Sequence, residues 1–142
     1  PYFSCVCDAD WATRNRANGN FFPLTAVHGG KYEYAGFVHT FYGLLPPAEF
    51  FAAHPEYYSE IDGQRLSQHG QLCLTHPAVA DLVTERARAL LKKQPGARII
   101  SISQNDWGNQ CRCATCRAID EAEGSSAGTM VRFLNTIAAR LG

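Results

Sequence analysis

Three closely spaced cysteines, Cys111, Cys113 and Cys116, constrain this chain more than any other feature of its sequence. They follow the order C-x-C-x-x-C, which lets three thiolates face one point from a tight loop, as a tetrahedral zinc site requires. Because such a site needs four ligands, the spacing predicts one more ligand from elsewhere in the chain. A disulfide between two of the three cysteines, or three free thiols, is the alternative.

Cys73 is the first candidate for the fourth ligand, because it follows a strand-like segment and neighbouring loops of a parallel sheet converge. A histidine, or one of the pair Cys5 and Cys7, is the second. The predicted metal is a structural zinc ion, because a closed, sulfur-rich site leaves no open position for a substrate. An iron–sulfur cluster would also need a fourth thiolate.

The charge balance bears on the kind of partner. The chain has 142 residues with 13 Lys and Arg against 13 Asp and Glu, so its formal net charge is zero. A neutral chain without a basic stripe argues against a nucleic-acid partner. No apolar run approaches the roughly 18 residues of a membrane span. The first residue is Pro1, so we expect the natural chain to begin earlier.

Helical periodicity predicts two clear helices. The first follows Thr75, a candidate N-cap, and ends at 94–96; the second covers 128–142. Shorter helices are predicted at 10–19 with Asp10 as N-cap, after Pro46 and Pro47, and at 117–124.

Two segments are predicted to contain strands. Residues 37–45 are expected to be a strand that leaves through a loop, and the β-branched run 97–103 is typical of a parallel strand buried on both faces. Residues 29–36 are predicted to be loop, and a hairpin is expected around Asp62 and Gly63. Alternating strands and helices predict an α/β fold with a parallel sheet. The rival is a small, complete α+β domain.

The polar residues after the second strand are candidate site residues, because ligands of parallel α/β folds meet the carboxyl ends of strands. Asp106 can transfer a proton, Asn105 can bond a sugar hydroxyl, and Trp107 can stack on a sugar ring. The alternative is that Asp106 caps the following backbone.

Three further polar residues join this candidate site. His39, at the end of the predicted strand FVHT, could bond a substrate hydroxyl or carboxylate, although a lone histidine is more often structural. Arg14 could pair a ligand carboxylate, with Asn15 beside it, or form a structural ion pair.

Several segments together resemble a bacterial family of domains of unknown function that is placed near the α-glucuronidases and other TIM-barrel glycoside hydrolases. The resemblance covers about residues 11–141 and depends on the combination of "HPEY", "QLC" before a helix, and "QND" before the three cysteines. His76 departs from the asparagine expected there in the family. The family's members are mostly secreted or periplasmic, so the resemblance implies that localisation and a sugar-related function.

The resemblance and the pattern together predict one incomplete domain over residues 1–142, the N-terminal part of a longer TIM-type (β/α) barrel truncated at both ends. We expect a glycoside hydrolase-like, carbohydrate-active domain, with Asp106 as general acid or orienting carboxylate and a uronic-acid-containing glycan as one possible substrate. The alternative is a non-catalytic carbohydrate-binding or structural module on the same scaffold. An open half barrel would expose apolar edges, so self-association of the isolated chain is expected.

Overall fold

A computed structural model describes residues 8–142, which divide into two compact units. The first unit contains the described residues up to Phe37 together with Leu90–Ser101, and the second contains Val38–Ala89 and Ile102–Gly142. Among the described residues, no helix has the length and apolar content to cross a bilayer.

A parallel strand pair lies in the first unit. Strand β1 (Tyr34–Ala35) pairs with β4 (Ile99–Ile100) in parallel, with Ala35 opposite Ile100. The parallel pairing of the run 97–103 is as predicted, but Ile99 is 39% exposed, so burial on both faces was wrong. Residues 29–33 are loop or turn as predicted, but Tyr34 and Ala35 form β1 rather than loop. The side chain of Asn20 accepts from the Tyr34 amide at 2.7 Å and donates to its carbonyl at 3.0 Å, which holds β1 extended.

Helix α1 (Ala9–Arg14) in the same unit is shorter than the predicted helix at 10–19. Asp8 rather than Asp10 is the N-cap, because its carboxylate accepts the Trp11 amide at 2.8 Å. The helix ends at Arg14, where the Asn15 side chain donates to the Trp11 carbonyl at 2.8 Å and Arg16 adopts a left-handed backbone with φ 54°.

The core of the second unit is formed by two long helices and the segments packed on them. Helices α4 (Pro77–Lys93), which belongs to this unit up to Ala89, and α6 (Gly128–Leu141) confirm the helical periodicity. Between them in sequence lies α5 (Ala114–Glu123), also as predicted. The largest fully buried side chains of this core are Tyr58, Phe41, Leu45, Leu72, Ile137, Val79 and Val83.

The predicted strand at 37–45 is wrong. His39 has a left-handed backbone with φ 58°, and α2 (Phe41–Leu44) follows it. Phe41, Leu44 and Leu45 have helical i, i+3, i+4 spacing, and all three are buried. Burying this apolar face outweighed the strand propensity of the aromatic residues. The next helix, α3 (Pro47–Phe50), begins at the predicted proline pair.

The predicted hairpin is confirmed. Strands β2 (Glu60–Ile61) and β3 (Gln64–Arg65) pair antiparallel around Asp62 and Gly63, whose φ values of 49° and 78° suit a tight Asp-Gly turn. An isolated antiparallel bridge joins Tyr58, which precedes β2, to Leu72, which follows β3. The Cys73 amide then donates to the Tyr57 carbonyl at 2.8 Å, which fixes the position of Cys73.

The strands described in residues 8–142 therefore form two separate two-stranded sheets, one parallel and one antiparallel. The predicted partial barrel stays a prediction.

We expect Phe133→Ala to destabilise the domain by about 3–5 kcal/mol, because a ring that is 3% exposed and packs edge-on to Phe41 would leave a cavity. Urea unfolding measures this change. Val131→Ala on the same helix is the control, since Val131 is 53% exposed and its loss should cost less than about 0.5 kcal/mol. Equal effects of the two substitutions would contradict the described core.

Candidate metal centre and the loop beside it

Four cysteine sulfurs converge in the second unit. The sulfurs of Cys73, Cys111, Cys113 and Cys116 all lie within 4.8 Å of one another, and Cys73 lies 3.8 Å from Cys113 and 4.0 Å from Cys116. Zinc–sulfur bonds of about 2.3 Å in a tetrahedron give sulfur–sulfur edges of about 3.8 Å. All four are free thiols, whereas a disulfide would bring two sulfurs to about 2.05 Å. The four residues can therefore hold one metal ion, with Cys73 as the predicted fourth ligand.

Three different elements bring these sulfurs together. Cys73 follows the bridge between Tyr58 and Leu72. Cys113 is the N-cap of α5 and Cys116 lies in the first turn of that helix, where the positive end of the helix dipole favours thiolates. Cys111 lies beside the hairpin, because the Arg112 amide donates to the Glu60 carbonyl at 2.8 Å. Cys5 and Cys7, the other candidates, lie outside the described residues.

Donor groups surround the sulfur cluster. The Glu60 amide donates to the Cys111 sulfur at 3.4 Å, and Arg65 Nη1 donates to the same sulfur at 3.8 Å. The Thr75 hydroxyl lies 3.2 Å from the Cys116 sulfur and 3.7 Å from the Cys73 sulfur. Thr75 was predicted to be a helix cap, but its hydroxyl contacts the cluster instead. Sequence reasoning missed Arg65, and no motif marks it.

The thiols also perturb one another. The neighbouring thiols of Cys111 and Cys116 lower the pKa of Cys73, whereas those of Cys111 and Cys73 raise the pKa of Cys116. The reason is that thiols which donate to one thiolate must themselves stay protonated. Four thiolates at this spacing need a cation among them, so metal binding would release protons from the cluster.

Asn105, predicted to contact a substrate, is 4% exposed and holds the loop that leads towards the three clustered cysteines. Its side-chain oxygen accepts from the Tyr42 amide at 3.2 Å, and its side-chain nitrogen donates to the Gly70 carbonyl at 2.9 Å. The side-chain oxygen and the side-chain nitrogen of Asn105 both form hydrogen bonds with backbone groups. Asn105 therefore has a described role in positioning the loop.

Gln71 is the partner of Asn105 and was missed by sequence reasoning. Its side-chain oxygen accepts from the Asn105 amide at 2.9 Å. Its side-chain nitrogen lies within hydrogen-bond distance of three loop carbonyls, those of Asn105 at 3.1 Å, Trp107 at 2.7 Å and Gly108 at 3.2 Å. The residue is 2% exposed, so its side-chain amide depends on these protein partners for its hydrogen bonds. Gln71 therefore fixes the backbone on both sides of Asp106.

Asp106 and His39 lie together at the surface, close to the hydrogen bonds of Asn105 and Gln71. His39 Nε2 is 3.8 Å from a carboxylate oxygen of Asp106, whose side chain is 85% exposed. His39 Nδ1 is 3.0 Å from the Gln104 carbonyl. Since a carbonyl only accepts, this contact assigns a proton to Nδ1 and leaves Nε2 facing the carboxylate.

Trp107 is the third exposed member of this group, with 41% of the residue accessible. Its indole N–H donates to the Gly70 carbonyl at 2.6 Å, which fixes the orientation of the ring. The structure thus brings His39, Asp106 and Trp107 to the surface of one loop region, with Asn105 beneath them.

Arg14 and Asn15 belong to the first unit. Arg14 is exposed in the last turn of α1, and the Asn15 side chain caps that turn through the Trp11 carbonyl. The described role of Asn15 is therefore local, and the predicted roles of both residues in substrate binding stay predictions.

We expect Gly70→Ala to disturb the loop and to destabilise the domain by roughly 1–3 kcal/mol. An added Cβ would meet Ser59 Oγ at 2.7 Å and Leu66 Cβ at 2.9 Å, and it would displace the carbonyl that accepts from Asn105 and Trp107. Thermal unfolding and tryptophan emission measure the two effects. Gly108→Ala is the control, because nothing lies within 4 Å of the new Cβ, and it should change neither stability nor tryptophan emission. A Gly70→Ala variant with unchanged stability and emission would contradict the described hydrogen bonds to the Gly70 carbonyl.

Comparison with known proteins gives a family but no named relative. No curated protein and no solved structure matches the chain. Residues 2–142 match the family model described as a domain of unknown function, DUF4838. The predicted membership in a family of domains of unknown function is thus confirmed: the chain belongs to the DUF4838 family.

Proposed function

We propose that this chain is part of a carbohydrate-active domain of the glycoside hydrolase type, in which the loop at 104–110 presents Asp106, His39 and Trp107 to a glycan. One observation carries the proposal. The exposed Asp106 lies beside His39, on a backbone that the buried residues Gln71 and Asn105 hold in place. Fixed backbone under an exposed reactive side chain is the arrangement that precise positioning of a substrate requires.

Each of the three exposed groups has a role in this proposal. Asp106 transfers a proton to the glycosidic oxygen or orients a sugar hydroxyl. His39 Nε2, which faces Asp106, bonds the carboxylate when protonated and accepts from a sugar hydroxyl when neutral. Trp107 offers an apolar ring face for stacking.

Hydrolysis also needs a second carboxyl group, about 5–5.5 Å from the first for retention and about 6.5–9.5 Å for inversion. In our proposal the chain is the N-terminal part of a longer TIM-type barrel related to the α-glucuronidases, and a later strand supplies that group. The parent is then a secreted or periplasmic bacterial protein, and the isolated chain self-associates through its open edge.

A non-catalytic carbohydrate-binding module is the second candidate, and one observation favours it. A general acid usually lies in a desolvated pocket, whereas the Asp106 side chain is 85% exposed. On this alternative the same residues bind sugar without turnover.

The metal in our proposal is a structural zinc ion. Four sulfur ligands with edges of 3.8 Å and 4.0 Å suit tetrahedral zinc, and a site filled by four thiolates leaves no position for a substrate. Its role is to fix the loop where it enters α5, since Cys111 and Cys113 follow the loop directly. The donors from Glu60, Arg65 and Thr75 offset the negative charge of the four thiolates.

We expect protein purified without added metal to contain about one zinc ion per chain, and Cys73→Ser to lose it together with several degrees of thermal stability. Elemental analysis and thermal unfolding measure both. Thr75→Ser, which keeps the hydroxyl beside the sulfurs, is the control and should retain the ion. Metal-free protein with four reactive thiols would remove the zinc proposal, and iron in place of zinc would change the identity of the ion.

We expect Asp106→Asn in the full-length parent to lower glycan hydrolysis by orders of magnitude while glycan binding persists, because an amide cannot deliver the proton. A panel of oligosaccharides with and without uronic acids measures turnover, and calorimetry measures binding. Asp62→Asn in the hairpin turn is the matched control, since asparagine also suits an x-Gly turn. Binding without turnover in both the parent and the variant would favour the binding module.

A further inference from the structure

A groove of about 620 Å³ opens beside the loop at 104–110 in the second unit. Its lining includes α3 and the residues that follow it, among them Ala48 and Ala52, together with residues 67–69. Trp107 also lines the groove, and the exposed Asp106 directly precedes it in the chain. The volume lies within the range of about 300–1,000 Å³ that small-molecule sites occupy.

Aromatic rings line this groove and are held rigidly. Tyr42 and Phe51 both pack on the fully buried Tyr58, with ring centroids 5.9 Å and 5.4 Å away. Trp107 contacts Tyr42 edge-on at 6.1 Å and His69 edge-on at 5.5 Å. Because their partners fix these rings, a ligand would meet an aromatic surface that is already formed, which lowers the entropy cost of binding.

The polar groups of the groove are the hydrogen-bonding side chains of serine, glutamine, histidine and tyrosine. Ser67, Gln68 and His69 all line it, and none of the lining residues in the described part of the chain is Asp, Glu, Lys or Arg. Burial raises the pKa of Tyr42 to about 12, so its phenol stays neutral at ordinary pH. A carboxylate placed in this groove would find no arginine or lysine to offset its desolvation.

We propose that the groove is a subsite for a neutral pyranose ring, next to the position where Asp106 meets the glycan. A pyranose offers apolar C–H faces to aromatic rings and hydroxyls at its edge to Ser67, Gln68 and His69. Trp107 belongs to the groove and directly follows Asp106, so one oligosaccharide can contact both. The inference rests on the proposed function and makes it more specific, because any uronic acid must then bind outside the groove.

Tryptophan emission provides a direct test. The chain has two tryptophans, so Trp11→Phe leaves Trp107 as the one reporter. We expect saturable emission changes on titration with neutral tetrasaccharides (cellotetraose, xylotetraose and mannotetraose are the probes), and at least about tenfold weaker binding of tetragalacturonate, a difference of about 1.4 kcal/mol. Equal or tighter binding of tetragalacturonate, or no response to any neutral probe, would overturn the proposal.

A pair of neighbouring alanines gives the matched variants. Ala52→Tyr places a ring in the groove, whereas Ala53→Tyr adds the same ring at an exposed residue that is not among those lining it. In the Trp11→Phe background, we expect Ala52→Tyr to weaken neutral-sugar binding at least about tenfold and Ala53→Tyr to leave it unchanged. Unfolding curves establish that both variants fold. A folded Ala52→Tyr variant that binds neutral sugars with unchanged affinity would refute the subsite.

The subsite and the proposed function fail in different ways. If Asp106→Asn abolishes turnover but no neutral sugar binds in the groove, the subsite is wrong and the hydrolase proposal stands. If neutral sugars bind in the groove and the parent shows no turnover, the subsite proposal holds and the subsite belongs to a non-catalytic binding module.

Discussion

The hydrogen bonds that Gln71 forms with the loop at 104–110 hold the backbone that presents Asp106 and Trp107 at the surface. The Gln71 side chain bonds both the amide and the carbonyl of Asn105, across 34 residues of sequence, and its nitrogen reaches two further carbonyls. The same short segment carries Cys73, which lies with the sulfurs that follow the loop. One segment therefore holds the loop from Asn105 to Gly108 by hydrogen bonds and the region from Cys111 by sulfur contacts.

This arrangement separates positioning residues from exposed ones. Asn105 and Gln71 are buried and bond backbone groups, whereas Asp106 and Trp107, their neighbours in the loop, are exposed. A buried amide that lacks a hydrogen-bond partner costs free energy of folding, so these bonds favour one backbone path for the loop. The zinc ion that we propose would add a constraint of a different kind, one that depends on thiol oxidation state and metal supply.

Local patterns explain which predictions succeeded. Helices α4, α5 and α6 have strong periodicity, and the Asp62-Gly63 turn favours one backbone geometry, so both features are visible in a few neighbouring residues. The segment 37–45 failed because its aromatic and β-branched residues suggest a strand, while the left-handed His39 and the buried face of α2 produce a helix. Its i, i+3, i+4 spacing could have revealed this. Residue type alone does not distinguish a buried amide from an exposed one, so the sequence did not reveal that the Asn105 side chain bonds backbone groups.

The sequence by itself determined the ligand types of the cysteine cluster, the main helices and the family, since each depends on residue identity and short-range spacing. Cys73 was predicted as the fourth ligand because neighbouring loops of a parallel sheet converge, but the structure brings it to the cluster after an antiparallel bridge between Tyr58 and Leu72. Only the tertiary structure decided that His39 faces Asp106 and that Gln71 bonds the backbone around it. Their partners are many residues away, and such contacts follow from how the core packs, which no local pattern records.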